Sequence, residues 1–190
     1  MYLLKLALTF TTATLLLSCT SQFPIPLARS EDTSASLPPP LISNSLKAAI
    51  EELRVMKIKI EEPEGISFKE YGEDLVDLAD ITKNATGDPK ALAATKSAVE
   101  GHQLALQFWQ CDRVDGYEAL YQCRDKVLKR VFVKYPDIAA QANAAVAGEK
   151  VSYISAGLEK DSVLQAIWQK AIADTDVAVQ IVNPPPLQKK

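Results

Sequence analysis

Gly65-Ile66-Ser67-Phe68-Lys69-Glu70-Tyr71 opens the stretch that decides the fold. Ser67 with Glu70 three residues later is the pattern of a capping box, in which two side chains satisfy orphaned N–H groups at a helix start. Ile66 and Tyr71 occupy the staple positions around it, and Gly65 suits the end of a preceding helix. Phe68, Tyr71, Leu75, Leu78 and Thr82 then recur at three- and four-residue steps, which places them on one helical face. Upstream, Leu46, Ala49, Ile50, Leu53, Met56 and Ile60 repeat the pattern until Pro63, although Met56-Lys57-Ile58-Lys59-Ile60 also alternates like a strand.

Downstream, Asp88-Pro89 combines a cap with proline at the first helical position and opens a third helix to about Cys111. Ala98, His102, Ala105, Leu106 and Trp109 line one side of it. Leu104 and Phe108 face elsewhere, so this helix is expected to be central. A fourth helix follows Asp115-Gly116, with Tyr117, Leu120, Tyr121, Val127, Leu128, Val131 and Tyr135 apolar, and stops at Pro136. Ala-rich 138–147, Gly148 and Gly157 point to one or two shorter helices. Asp161 is the expected cap of a last one carrying Leu164, Trp168, Ala171, Ile172, Thr175 and Val179. The fold class is all-α: a bundle of five to six helices over residues 43–183, with Pro-rich tails at both ends.

The chain has 190 residues, 47% apolar and 24% charged, with a formal net charge of −3. That composition excludes a disordered chain, a collagen-like repeat and a multi-span membrane protein. The balance of charge also argues against nucleic acid as a partner, since such domains are usually strongly basic.

Residues 1–18 carry one early cation, Lys5, and then the uncharged run Leu6 to Leu17. Twelve helical residues cover roughly 18 Å, too short for a hydrocarbon core of about 30 Å, so the pattern is that of an export signal. The run ends in Leu16-Leu17-Ser18-Cys19, which resembles the lipobox of bacterial lipoproteins. The resemblance implies a diacylglycerol thioether on the Cys19 thiol, cleavage just before it, and acylation of the new amino end. A plain secretory signal would need a small-x-small site, which Ile25-Pro26-Leu27-Ala28 supplies poorly. The expected location is therefore the bacterial envelope, with the membrane as partner through a covalent lipid and no other cofactor. Two or three acyl chains at ~0.8 kcal/mol per buried methylene give stable anchoring where one does not.

Residues 19–42 read as a Ser/Thr/Pro-rich tether. Leu37-Pro38-Pro39-Pro40-Leu41 favours extended polyproline II at ~3.1 Å per residue. Asn183-Pro184-Pro185-Pro186 stops the fold at the other end, and residues 184–190 read as a disordered tail whose last part, Leu187 to Lys190, is basic.

Cys111 and Cys123 are left as a pair once Cys19 is lipidated, and a pair in an oxidising compartment points to a disulfide. It would close the hairpin between the third and fourth helices. A metal set of His102, Cys111 and Cys123 lacks any paired ligand spacing, and no metal site is expected. His102, the sole histidine, reads as a core residue.

Glu73, Asp77, Asp80 and Asn84 share one side of the second helix, either as a solvated face or as a weak cation site. Lys126, Lys129, Arg130 and Lys134 form a basic strip on the fourth, either a solvated face or one suited to anionic headgroups or to the acidic face of another subunit. Arg124 falls among apolar positions, where it would snorkel or pair with a buried acid. Glycine loops for phosphate, HExxH and nucleophile-elbow motifs are absent from the sequence, so no catalytic residue is assigned.

The order of the first three helices, with Gly65 to Tyr71 and Phe108-Trp109, is also similar to small exported helical proteins of bacteria and cyanobacteria. That resemblance, over residues 46–110, implies fold and location but no activity. The functional expectation is a non-enzymatic interaction or assembly module facing a protein partner in the envelope. Its exposed apolar candidates are Val55 and Ile58, off the main stripe of the first helix. The alternative is a small-ligand carrier with an inter-helix cavity lined by Trp109, Trp168 and Tyr121.

Overall fold

A computed structural model describes residues 42–184. They form α1 (Asn44–Glu61), α2 (Phe68–Lys83), α3 (Pro89–Gln110), α4 (Tyr117–Lys134), α5 (Pro136–Ala145) and α6 (Lys160–Val182), with 3₁₀ turns at Cys111–Arg113 and Ile154–Gly157. No strand occurs among the described residues. The export signal, Cys19, most of the tether and most of the basic tail lie outside the described residues.

The expected helix starts have specific partners. Ser43 Oγ accepts the Leu46 N–H at 3.1 Å, Ser67 Oγ that of Glu70 at 3.2 Å, and Asp88 Oδ1 that of Ala91 at 2.8 Å. Only half of the capping box forms at Ser67, because the Glu70 carboxylate turns to Lys59 Nζ at 2.8 Å instead. Gly65, at φ 64°, makes the left-handed turn between α1 and α2. Two expectations are corrected. Pro136 ends α4 but also opens α5 as its first residue. The cap of α6 is Glu159 rather than Asp161: its longer carboxylate accepts from both the Asp161 and Ser162 N–H groups. The strand-like alternation in α1 has a helical explanation, since its two lysines reach different neighbours, Lys57 to Asp176 on α6 and Lys59 to Asp74 on α2.

α3 is the hub, and α6 is the helix against which it packs most extensively. Small residues allow the approach: Ala91, Thr95, Ala98, Gly101 and Ala105 on α3, with Ala171, Thr175 and Ala178 on α6, are all buried. Both threonines satisfy their hydroxyls on the carbonyl one turn back, Thr95 on Ala91 and Thr175 on Ala171. A side chain on Gly101 would strike the Tyr135 hydroxyl and come within 2.9 Å of Ala171 Cβ. α2 and α4 run antiparallel to α3 on its two flanks, and α1 closes the layer behind, between α2 and α6. The main core includes Leu53, Met56, Tyr71, Leu78, Phe108, Leu128 and Ile167, each burial worth roughly 1.5–3 kcal/mol. A smaller cluster of Leu46, Ile50, Ala85, Ala91 and Ala178 closes one end, with Ile42 and Val182 packed against it. The chain therefore enters and leaves the bundle at the same end.

Cys111 and Cys123 are joined by a disulfide at the opposite end, bridging the start of the turn after α3 to the second turn of α4. Two stability outcomes follow. Gly101→Ala would gain about 1 kcal/mol of helix propensity but lose about 1–3 kcal/mol to overpacking, so a net loss near 1 kcal/mol is expected in the urea midpoint. Cys111→Ala with Cys123→Ala should lower stability by about 3 kcal/mol in the same assay.

Candidate functional site

The outward face of α4 follows from its inward one. Arg124, Val127, Leu128 and Val131 are buried, which turns Lys126, Lys129, Arg130 and Val133 to solvent. Val133 is 84% exposed, the most exposed large apolar side chain among the described residues. Asp125, the nearest acid in sequence, is withdrawn, because its carboxylate accepts the Ile154 and Ser155 N–H groups at 3.1 and 2.9 Å. Among the described residues, Lys126 and Lys129 have no ion-pair partner. Arg130 reaches only the neutral Gln107 Oε1, at 2.5 Å. Lys134 does not belong to this open strip: its Nζ lies 2.8 Å from Ser97 Oγ and 3.0 Å from Glu100, with the side chain 13% exposed.

The acidic side of α2 is also outward. Glu73, Asp77 and Asp80 are exposed around Val76, itself 63% exposed. Glu73 has one long contact, 3.8 Å to Lys69, and Asn84 donates to the Asp80 carbonyl. No group of His, Cys, Asp and Glu among the described residues has the geometry of a metal site. Val55 and Ile58 point outward from α1 at 37% and 54% exposure.

The aromatic residues occupy two places. Trp109 and Trp168 meet edge to face at 5.6 Å, and Tyr71 packs on both, at 6.2 and 5.8 Å. These two indoles fill space against one another. Tyr121 lies apart, 4.6 Å from Tyr117 and stacked at 6.3 Å on Tyr153. An apolar groove of about 360 Å³ does exist, at another place: Ile138, Ala142 and Ala145 of α5 face Leu158, Val163 and Ala166 across it. Its signal in the sequence is weak, since its α5 wall reads only as an alanine-rich stretch.

His102 is fully buried, with Nδ1 2.9 Å from the Tyr71 hydroxyl. The same hydroxyl lies 3.1 Å from the His102 carbonyl, so it is shared between the ring and the backbone of one residue, while Nε2 has no partner. Burial holds the imidazole neutral, down to about 3, and pushes the Tyr71 phenol upward. The nearby Trp168 indole opposes the tyrosine shift without completing a hydrogen bond. Arg124, also buried, bonds Asp112 at 2.6 Å and lies 5.7 Å from the Phe108 and Tyr121 rings. The histidine, the disulfide and the arginine are thus held within the fold, whereas the α4 and α2 faces are free to meet something else.

No family model, curated protein or solved structure matches this chain.

The buried histidine has a pH signature. The unfolded chain takes up its proton below about pH 6.5, while the folded one refuses it until about pH 3. Between those values the unfolded state holds more protons, so stability falls as pH falls, by up to about 1.4 kcal/mol per unit. Urea unfolding across pH 7 to 4 should show this slope, and His102→Gln should flatten it. Equal slopes in both proteins would disprove the assignment.

Proposed function

We propose that this protein is a lipid-anchored, non-enzymatic interaction module of the bacterial envelope, presenting a bundle face to a protein partner. The anchor is supported by the lipobox at Leu16-Leu17-Ser18-Cys19, and an oxidising location by the joined Cys111 and Cys123. The observation that carries the interaction role is the outer face of α4. Lys126 and Lys129 carry no ion pair and frame Val133, an apolar side chain left 84% in water, while Lys134 one turn further on is matched to Glu100. An apolar side chain flanked by uncompensated cations offers a partner a contact to bury and charges to match.

The intact protein should fractionate with membranes, and Cys19→Ala should move it to the soluble envelope fraction. Affinity capture from those membranes should lose its partner at least tenfold in Lys129→Glu/Arg130→Glu, with an unchanged melting temperature. Recovery of the uncut, unlipidated chain from the cell interior with Cys111 and Cys123 reduced would overturn the reading.

A small-ligand carrier is the second reading, and the groove between α5 and α6 favours it over the tryptophan pair. An apolar fluorescent probe that binds there should be displaced in Ala142→Trp.

A further inference from the structure

The acidic face of α2 and the basic face of α4 open on the same side of the molecule. Glu73, Val76 and Asp77 line one groove with Leu106 and Gln110 of α3; Lys69 and Arg113 stand at its edge, Arg113 held over the Phe68 ring at 4.0 Å. Lys126 and Arg130 line a second with Gln107 and Gln110. Gln110 is common to both, so this part of α3 is a neutral ridge between the α2 face, where Glu73, Asp77 and Asp80 are exposed, and the cationic face of α4. The flanks are also level along it. Gly72 lies against Leu106, which sets Glu73 and Val76 beside the stretch from Leu106 to Gln103. Arg130 bonds Gln107, and Val133 shares a shallow groove with Glu100. Each flank thus carries one exposed valine at about the same height, amid charges of opposite sign.

We infer that this three-helix face binds a second copy of the chain, which deepens the interaction reading above and rests on it. A two-fold axis parallel to α3 lays α2 of one copy on α4 of the other, and does so twice. Glu73 and Asp77 then meet Lys129 and Arg130, and Val76 meets Val133 of the partner copy. An axis running across the helices would instead set acid on acid. The parallel axis also points both Ile42 ends the same way, as two anchors in one membrane require. Three helices about 10 Å apart over ~24 Å offer a footprint on the order of the ~800 Å² per partner that a stable dimer buries. The same charge pattern does not fit a flat anionic bilayer, because the α2 flank would be pressed against like charge.

Sedimentation of the full chain carrying Cys19→Ser, in mild detergent, tests this. A dimer is expected at micromolar concentration near 0.1 M salt, weakened at least tenfold near 0.5 M as screening shortens to a few ångströms. Lys129→Glu/Arg130→Glu and Glu73→Lys/Asp77→Lys should each be monomeric, and mixing them should restore the dimer, since both contacts become complementary again. Chains bearing Val76→Cys should cross-link with chains bearing Val133→Cys, but not with themselves. A wild type monomeric at every salt, two variants that still dimerise, or a mixture that stays monomeric would each overturn the proposal. A monomeric wild type bound to phosphatidylglycerol vesicles through the α4 strip would assign that face to lipid instead. Loss of captured partner in the α4 variant with a monomeric wild type would remove only the second copy. Capture unaffected by that variant would remove the interaction reading itself.

Discussion

The close approach of α3 and α6 at Gly101 is the constraint on which the remaining packing depends. With Ala171 opposite and the Tyr135 hydroxyl beside it, the position has no room for a Cβ. Small residues above and below, Ala98 and Ala105 on α3 and Thr175 and Ala178 on α6, let the two helices lie close along much of their length. That pair occupies one side of α3 and pushes α2 and α4 to its flanks. The outward ridge of α3 and the two faces beside it are therefore consequences of a seam on the far side of the same helix.

Polar groups taken into this core are held by short, specific partners. Ser97 Oγ donates to Asp174 at 2.7 Å while accepting from Lys134, tying α3, α4 and α6 through one hydroxyl. The Tyr71 hydroxyl lies within hydrogen-bond distance of both the His102 ring nitrogen and the His102 carbonyl. Arg124 shares Asp112 with Lys160, so the turn after α3 is pinned both to α4 and to the start of α6. Buried polar groups left without partners cost about 1–3 kcal/mol each, and these networks keep that cost low. A few atoms remain unpartnered, Arg124 Nε and Trp168 Nε1 among them.

Much of the fold was legible because local signals agreed with the tertiary outcome. Ser67 and Asp88 both cap where their spacing predicts, and the stripe from Phe68 to Thr82 places Tyr71, Leu75 and Leu78 in the core. The Cys111–Cys123 bond is the pairing expected from two cysteines remaining in the helical region of a chain read as exported. The limits were set by contacts distant in sequence. Nothing near Glu70 shows that Lys59 will claim its carboxylate, and nothing near Lys134 shows that Ser97 and Glu100 will remove it from the basic strip. The aromatic residues show the same gap: helical periodicity put Trp109 and Trp168 inside, but not against each other. Val76 and Val133 give no signal in the sequence, because a valine on a charged face interrupts no pattern.

The entry of the chain at Ile42 and its exit past Val182 share one small apolar cluster. A short linker from Asn183 back to Ile42 would therefore close the polypeptide into a ring without moving a helix. New termini could be opened at Gly148, an exposed residue with a positive φ in the link after α5. Such a circular permutant would keep the helical architecture while carrying its attachment point to a different part of the surface, so that the direction in which the domain faces becomes separable from its fold.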